Sequence, residues 1–444
     1  MRNGHLDRTV IVTVGTTAAV AISIALISTD DVLKNQLIAV SQTVTAWFKH
    51  DILGRPIPSP PSKPPQTGDK LALEIVSPGG VEQLRLIPVP PGATTTGYNV
   101  ARRTKLLFST SRKDIVKVNV SHFSVNFADI CIRQGLYESA IRNVGYPIVP
   151  GFDISGVVSS VPPGCKDFKV GDEVYGATLF GGYSQVVGVP ANQLRKIPKG
   201  VTPAGAASLP AVSLTAIHAL VIAGFPPLGM SKMKLGTNRT VLVHSASGGV
   251  GGMLVQFAKK CGAERVVGVV GRKEKVEYCK GLGCDVVVCK EGKSKAEWWK
   301  EVEEGNEGRG FQAVFDANGV ETIKSSYDHL DMTGRLVVYG FHTNMTHSTS
   351  LNPISWLKML WGAMRMPSFD AMMMCLDSRG LLGFNLSFFE NETDLIGQYF
   401  DVLNGWIEEG IKIPKINLFD MTEVGKAHEL IQSGKSKGKI VIRT

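Results

Sequence analysis

The chain has 444 residues, of which 43% are hydrophobic and 20% charged, with a formal net charge of +9. This composition is typical of a folded globular protein, and the length suggests two or three domains. Lysine and arginine are scattered and form no basic stripe interleaved with aromatic residues, which argues against nucleic-acid binding. The seven cysteines contain no C-x-x-C pair. Neither a disulfide framework nor a zinc site is therefore predicted, and the thiols suit a reducing compartment.

The first 67 residues differ in character from the rest of the chain. Thr9–Thr29 contains no charged residue and is long enough to cross a bilayer. We expect an uncleaved N-terminal anchor there, against two alternatives: a cleaved secretory signal with Ser23-x-Ala25 as its cleavage site, and an organelle-targeting segment. The amphipathic pattern of Val32–His50 predicts a helix on a membrane surface or a simple spacer helix. The proline-rich stretch Pro56–Pro65 predicts an extended linker.

Two patterns follow this N-terminal region. From Lys70 to about Ala207, short apolar runs alternate with glycine and proline turns, which is typical of a β-rich domain. From about Ser208 to Tyr339, strand and helix patterns alternate, which predicts a doubly wound parallel α/β sheet. In this second part we predict strands at Val266–Val270, Asp285–Val288, Ala313–Phe315 and Arg335–Tyr339, and helices at Lys273–Leu282, Glu297–Glu304 and Glu321–Leu330. Further helices are predicted at Trp356–Met364 and Leu395–Glu409, and a last strand at Lys439–Ile442.

The stretch Val241–Gly252, VLVHSASGGVGG, begins the predicted parallel sheet. It combines a buried strand, a glycine-rich turn and a helix whose apolar residues share one face. The free backbone N–H groups and the helix dipole at such a turn bind anions. The pattern Ser245-x-x-Gly248-x-x-Gly251 lacks the first glycine of the complete dinucleotide fingerprint. By itself it leaves an ordinary glycine-rich βα turn open as an alternative.

The tip of the next predicted strand indicates which dinucleotide would bind. An acidic residue at this position would accept hydrogen bonds from the 2′-hydroxyl of NAD. Here the strand ends at Val270 and is followed by Arg272, Lys273 and Lys275, with no carboxylate at the tip. Cations suit a 2′-phosphate, so we predict NADPH as the cofactor. An ordinary solvated helix start is the alternative interpretation.

Six motifs occur in order along the chain: NFADICIRQGLY, PGFDISGVV, KVGDEVYG, GGYSQVV, ASLPAVSLTAIHAL and HSASGGVGG. Together they resemble the zinc-free quinone-oxidoreductase branch of the medium-chain dehydrogenase/reductase superfamily, in particular its zeta-crystallin, vesicle-membrane-protein and reticulon-interacting groups. The resemblance covers Gly68 to Thr444. It implies a GroES-like catalytic domain over residues 68–207, a Rossmann-type NADPH-binding domain over 208–388, and a C-terminal return to the catalytic domain over 389–444. Residues 1–67 would hold the hydrophobic anchor, the amphipathic helix and the linker.

The resemblance also assigns roles to individual residues. The metal-dependent members place zinc ligands where this chain has Asn126 and Phe152, so no metal is expected. Asn126 and Tyr137 would line the pocket for the substrate and the nicotinamide and would be the catalytic residues. A turn asparagine and a rim tyrosine are the structural alternatives. The expected cofactor-binding residues are Thr215, Ser245, Gly248, Val250, Gly251, Arg272, Lys275, Gly340 and Phe341.

The implied reaction is hydride transfer from NADPH to a quinone or an α,β-unsaturated carbonyl compound. Two alternatives stay open: a membrane-tethered NADPH-binding protein for interaction or trafficking with little turnover, and a quinone-binding redox regulator. The sequence also leaves a homodimer open. Because NADPH is plentiful in the cytosol and in organelle matrices, we expect the catalytic domain to face the cytosol, a matrix or the stroma. It would be unglycosylated there despite the sequon at Asn238.

Overall fold

The computed structural model describes residues 66–89, 92–95, 115–227, 239–342, 362, 365–389 and 392–444. Within these ranges the chain forms a largely antiparallel sheet, a parallel sheet and a small two-stranded sheet. The two-stranded sheet pairs β1 (Leu71–Ile75) with β2 (Leu84–Pro88) in antiparallel fashion.

The antiparallel part belongs to a seven-stranded sheet, which combines strands between Ile115 and Lys196 with two strands close to the C-terminus. Its order is β14-β15-β3-β4-β5-β7, and β6 pairs with β3. The central strand, β3, has 11 residues, and every second residue over its first half is a valine that is buried in the core: Val116, Val118 and Val120. The seven strands are β3 (Ile115–Val125), β4 (Asp153–Ser160), β5 (Glu173–Ala177), β6 (Val186–Pro190), β7 (Leu194–Lys196), β14 (Ile416–Asp420) and β15 (Lys439–Arg443).

The parallel sheet has six strands in the order β10-β9-β8-β11-β12-β13. Its two central strands are buried along their whole length and mostly apolar, as expected when helices cover both faces of a sheet. The order reverses beside β8, which is where ligands bind in such sheets. The strands are β8 (Thr240–His244), β9 (Arg265–Val270), β10 (Val286–Cys289), β11 (Phe311–Asp316), β12 (Leu330–Val338) and β13 (Gly380–Gly383).

Helices flank both sheets. The helix α1 follows β3 and leads to α2, and α4 packs against α5, the helix after the glycine turn. In chain order the helices are α1 (Phe127–Arg133), α2 (Glu138–Asn143), α3 (Pro203–Ala207), α4 (Pro210–Ile222), α5 (Gly249–Lys260), α6 (Val276–Leu282), α7 (Lys295–Gly305), α8 (Ile323–Asp328), α9 (Ala371–Asp377), α10 (Thr393–Glu408) and α11 (Val424–Gln432).

The predicted α/β succession is confirmed, with shifts at some element ends. The strand expected at Arg335–Tyr339 begins earlier, at Leu330, because Leu330 already pairs with Phe311 of the neighbouring strand. The helix α6 is preceded by a 3-10 turn over Lys273–Lys275. The predicted helix Trp356–Met364 lies almost entirely outside the described residues.

The structure contradicts the prediction of a membrane-associated protein with one transmembrane segment. Among the described residues, no helix is both long and apolar enough to cross a membrane. The longest of the described helices, Thr393–Glu408, has 16 residues, whereas a crossing takes roughly 20 apolar residues. The segments Thr9–Thr29, Val32–His50 and Pro56–Pro65 themselves lie outside the described residues.

Candidate functional site

A cleft of about 1150 Å³ lies at the carboxyl edge of the parallel sheet. The first residue after each of the six parallel strands lines it, namely Ser245, Gly271, Lys290, Ala317, Tyr339 and Phe384. Residues of the antiparallel part, including Asn126 and Tyr137, form another wall, and the segment before β15 contributes Gly434 and Gly438. The cleft therefore occupies the position where open α/β sheets bind their ligands.

The glycine turn at the N-terminus of α5 forms the middle of the cleft. Gly248 is the N-cap residue of α5 and offers no side chain to cap the first turn, so backbone N–H groups are available to an anion there. A Cβ on Gly248 would meet one atom, the Ser245 carbonyl oxygen, at 3.2 Å. A Cβ on Gly251 would lie 2.3 Å from that same oxygen. Gly251 is thus required by the packing of the turn itself, and Gly248 is the glycine that leaves the cleft open.

A buried polar network under the turn holds its shape. Ser245 adopts a left-handed conformation with φ of 54°, and its hydroxyl donates to Asn318 Oδ1 at 3.0 Å. The backbone N–H of Asn318 donates to Asp316 Oδ1 at 2.8 Å. His244 Nε2 lies 3.0 Å from the hydroxyl of Ser326, and burial lowers the pKa of His244 to about 4. His244 is therefore a neutral, packed residue, not a general acid.

One end of the cleft is rich in cations. Lys275 and Lys290 line it, and no described carboxylate forms a salt bridge with either ammonium group. Lys275 Nζ donates to the Gly434 carbonyl oxygen at 2.7 Å, and Lys290 Nζ lies 5.6 Å from the centroid of the Trp298 ring. Burial, followed by the charge of Arg272, lowers the pKa of Lys275. A bound anion would relieve this crowding of positive charge.

The opposite end holds a buried ion pair that the sequence did not reveal. Lys439 is 4% exposed and Asp153 is fully buried. Lys439 Nζ lies 2.6 Å from Asn126 Oδ1 and 3.2 Å from Asp153 Oδ2. Asn126 Nδ2 in turn donates to Asp153 Oδ2 at 2.8 Å, and the Ser124 hydroxyl donates to the same oxygen. Both ends of the Asn126 amide are thereby fixed.

Tyr137 contacts the loop after β13 across the cleft. Its hydroxyl donates to Asn385 Oδ1 at 3.1 Å, and its ring meets the Phe152 ring edge-on at 6.0 Å between centroids. Burial raises the pKa of Tyr137 to about 12, so the phenol keeps its proton near neutral pH. Tyr137 is consequently a neutral donor whose proton is already directed at Asn385.

The predicted site residues come together with one exception. Apart from Arg272, all of them line the cleft: Asn126, Tyr137, Thr215, Ser245, Gly248, Val250, Gly251, Lys275, Gly340 and Phe341. Arg272 lies beside the cleft and acts on Lys275 through its charge. Asp129 bonds the backbone N–H groups of Asn126 and Gly151, as expected for a structural carboxylate. Among the described residues, no cluster of three or more His, Cys, Asp or Glu side chains could hold a metal ion.

Among the residues missed by the sequence analysis are two lysines of the site. Lys290 could have been found, since it lies two positions after the predicted strand Asp285–Val288 of the parallel sheet. Lys439 carried no such signal. Its place beside Asn126 results from the antiparallel pairing of β15 with β3, in which Ile440 faces Val125.

Comparison with known proteins agrees with this architecture. The family model described as "Alcohol dehydrogenase GroES-like domain" matches residues 112–199, and the model described as "Zinc-binding dehydrogenase" matches residues 249–373. The two matches fall on the antiparallel sheet and on the region of the parallel sheet, respectively. The fold and the two matches together define a medium-chain dehydrogenase type of protein.

Individual relatives narrow this class. A synaptic vesicle membrane protein VAT-1 homolog of Danio rerio is 28% identical over 79% of this chain and 69% of its own length. A 2-haloacrylate reductase of a Burkholderia species is 32% identical over 51% of this chain and 64% of its own length. A probable quinone oxidoreductase of Schizosaccharomyces pombe is 26% identical over 72% of this chain and 86% of its own length.

Solved structures show the same relationship. The structure of mycobacterial Rv1454c complexed with NADPH superimposes with a TM-score of 0.65 at 25% sequence identity, covering 84% of this chain and all of that one. The chain belongs to the medium-chain dehydrogenase/reductase superfamily, as a quinone-oxidoreductase-like member.

Proposed function

We propose that the protein is a zinc-independent oxidoreductase that transfers a hydride from NADPH to a quinone or an α,β-unsaturated carbonyl compound. The observation that carries the proposal is the composition of the cleft. An anion-binding glycine turn lies between a cationic end, with Lys275 and Lys290, and an end where Asn126 is held by a buried ion pair. In this proposal residues 68–207 and 389–444 provide the substrate side and residues 208–388 the cofactor side.

The cofactor is NADPH. Its pyrophosphate would lie on the first turn of α5, where Gly248 leaves the backbone accessible. Its 2′-phosphate would meet Lys275 and Lys290, with Arg272 adding positive charge from beside the cleft. When bound, the reduced nicotinamide supplies the hydride, and the protein fixes distance and orientation. The NADPH complex of the mycobacterial relative supports this assignment.

The substrate side is apolar with few polar groups. Aromatic side chains of Phe152, Phe384 and Phe389 line it, which suits a flat, conjugated substrate of low polarity. The names of two relatives mention a quinone and a haloacrylate. Both contain a carbon–carbon double bond conjugated with a carbonyl group, and such bonds accept a hydride without a metal ion.

The first experiment measures NADPH binding and NADPH consumption by the full chain. The acceptors are 1,4-benzoquinone, 9,10-phenanthrenequinone, 2-cyclohexen-1-one and trans-2-hexenal, with simple alcohols and NADP⁺ as the test for alcohol oxidation. We expect NADPH binding, turnover with at least one of the four acceptors, and no effect of zinc chelators. Consumption only in the presence of zinc would contradict the proposal. NADPH binding without turnover would instead favour a cofactor-binding interaction protein, the second of the functions that the sequence leaves open.

A further inference from the structure

The loop that follows β13 places one amide group on the wall of the cleft. Asn385 is half-buried, lines the cleft and is the N-cap residue of the short 3-10 helix Leu386–Phe388. Its neighbours on the cleft wall include the apolar side chains of Phe384, Phe389 and Phe152. The amide is thus a polar group within the apolar part of the cleft that would receive the substrate. The inference drawn from it rests on the proposed function.

Hydrogen bonds fix which way this amide points. Three donors converge on its Oδ1 atom: the Tyr137 hydroxyl at 3.1 Å, the Ser387 backbone N–H at 3.0 Å and the Ser387 hydroxyl at 2.8 Å. An amide nitrogen could accept none of these bonds, so the assignment of oxygen and nitrogen follows from the network. The Ser139 hydroxyl lies 2.7 Å from the Ser387 hydroxyl and makes no contact with Asn385 itself.

The other side of the amide has no such partner. Among the described residues, no acceptor lies within hydrogen-bond distance of Asn385 Nδ2. This nitrogen is also not fully buried. It is therefore accessible on the cleft wall and offers two N–H donors. By contrast, Tyr137 has already directed its proton at Asn385, and Asn126 has already donated to Asp153.

We propose that Asn385 Nδ2 is the donor that binds the carbonyl oxygen of the substrate, and that Tyr137 and Ser387 are positioning residues for Asn385. Hydride addition to the β-carbon of an enone moves the electron pair of the double bond toward the carbonyl oxygen, which becomes an enolate oxygen. The N–H group stabilises that oxygen without transferring its proton. Water then protonates the α-carbon and leaves as hydroxide, which the buffer neutralises, and the other products are the saturated ketone and NADP⁺. A donor aimed at the developing negative charge stabilises the transition state.

The test compares Asn385→Leu and Asn385→Asp with the wild type in the full chain. Both variants keep the size of the side chain and remove the donor, and the Asp variant also keeps the acceptor for Tyr137 and Ser387. Loss of one such donor lowers kcat by roughly 100-fold or more, and we expect that loss in kcat/KM for 2-cyclohexen-1-one. NADPH affinity should stay within about threefold of the wild type. Ser139→Ala is the matched control, since Ser139 contacts Ser387 but does not line the cleft.

A second measurement does not depend on turnover. The infrared carbonyl band of 2-cyclohexen-1-one, bound with NADP⁺, should shift to lower wavenumber in the wild type and in Ser139→Ala, and return toward its solution value in Asn385→Leu. Tyr137→Phe should lose less than tenfold in kcat/KM, because Ser387 still holds the amide. A 100-fold loss in Tyr137→Phe, together with normal turnover in Asn385→Leu, would overturn the proposal in favour of Tyr137 as the donor.

Two other outcomes separate this inference from the proposed function. A loss of NADPH affinity in Asn385→Leu as large as the loss of turnover would place the amide on the cofactor and overturn the inference. A wild-type chain that shows the shifted carbonyl band, but consumes no NADPH with any acceptor, would remove the proposed function. In that case the role of Asn385 in binding a carbonyl group would still be supported.

Discussion

The two ends of the cleft differ in whether their lysines are paired with a carboxylate. At the end that holds Asn126, the cation of Lys439 is 4% exposed and is neutralised by fully buried Asp153. At the other end, Lys275 and Lys290 reach the cleft and form no salt bridge with any described carboxylate. The first end is complete without a ligand, whereas the second carries charge that a ligand would neutralise.

This difference indicates what each end is built to do. A buried ion pair gains little net stability, because desolvation offsets most of its attraction. Its hydrogen bonds to both atoms of the Asn126 amide, however, leave that side chain a single orientation. An unpaired cation cluster does the reverse, since it leaves charge available for an incoming anion. One end thus fixes the orientation of the Asn126 side chain, and the other end provides affinity for an anion.

The largest effect on the free energy of unfolding is expected when the buried ion pair between Lys439 and Asp153 is broken. Lys439→Met leaves Asp153 buried without its cation, which should lower the free energy of unfolding by about 3–5 kcal/mol. Lys290→Met is the matched change at the other end and should alter stability by less than about 0.5 kcal/mol. Urea denaturation of the full chain measures both. Equal losses in the two variants would contradict the contrast drawn between the ends.

A double variant sharpens this test. Adding Asp153→Asn to Lys439→Met removes the stranded charge, and the Asn126 amide, released by Lys439, can turn to accept a hydrogen bond from the new amide. We expect the double variant to recover at least half of the lost stability while its turnover stays low. A double variant less stable than either single one would mean that the carboxylate of Asp153 is needed for its other contacts, with the Ser124 hydroxyl and the backbone N–H of Ala211.

The second effect concerns the cationic end. Lys275→Ala removes a charge-assisted contact to a phosphate, a loss of about 1.5–3 kcal/mol, so NADPH should bind roughly tenfold or more weakly. NADH should bind almost unchanged. Lys290→Ala should act in the same direction, and Arg272→Ala should have a smaller effect, because Arg272 does not line the cleft. Fluorescence titration with both cofactors measures these losses. Equal loss of NADPH and NADH affinity in Lys275→Ala would remove its role at the 2′-phosphate.

The third effect separates the two glycines of the turn. Gly251→Ala places a Cβ 2.3 Å from the Ser245 carbonyl oxygen, and such overpacking should destabilise the fold by about 1–3 kcal/mol. Gly248→Ala brings its Cβ to 3.2 Å from the same oxygen, which should leave stability nearly intact while NADPH binds more weakly. Thermal unfolding and cofactor titration distinguish the two. Wild-type NADPH affinity in a stable Gly248→Ala protein would place the cofactor elsewhere.

Local patterns in the sequence predicted the parallel sheet and the glycine turn and strand ends that line the cleft at its carboxyl edge. Strand tips such as Val270 and the glycine turn are short-range features, so their position along the chain is enough to place them at one edge of the sheet. The part of the cleft wall that holds Asn126 and Tyr137 depends on contacts that no local pattern reveals. Lys439 and Asn126 are separated by 313 positions, and Tyr137 and Asn385 by 248. The partners of Asn126 and Tyr137, which decide what each can donate, could therefore be found only in the fold.

The smallest effect is a dependence of cofactor preference on pH. Burial, with help from the charges of Arg272 and Lys437, lowers the pKa of Lys275 in the free protein. A bound 2′-phosphate favours the protonated ammonium and raises that pKa again. NADPH binding therefore takes up protons once the pH approaches the lowered pKa of Lys275. The preference for NADPH over NADH should be fully present near pH 7 and should decline as the pH rises toward about 10, the range below the ordinary value of a lysine.

Lys275→Arg tests this origin directly, because a guanidinium stays charged throughout that range. We expect the ratio of NADPH to NADH affinity to fall by a few fold between about pH 7 and pH 9.5 in the wild type and to stay flat in Lys275→Arg. At the other end of the cleft, Lys439→Met should leave the pH dependence of the ratio unchanged, since that cation faces Asp153 and not the phosphate. A ratio that declines equally in the wild type and in Lys275→Arg would assign the titration to another group and would leave Lys290 as the remaining lysine on the cleft wall at that end.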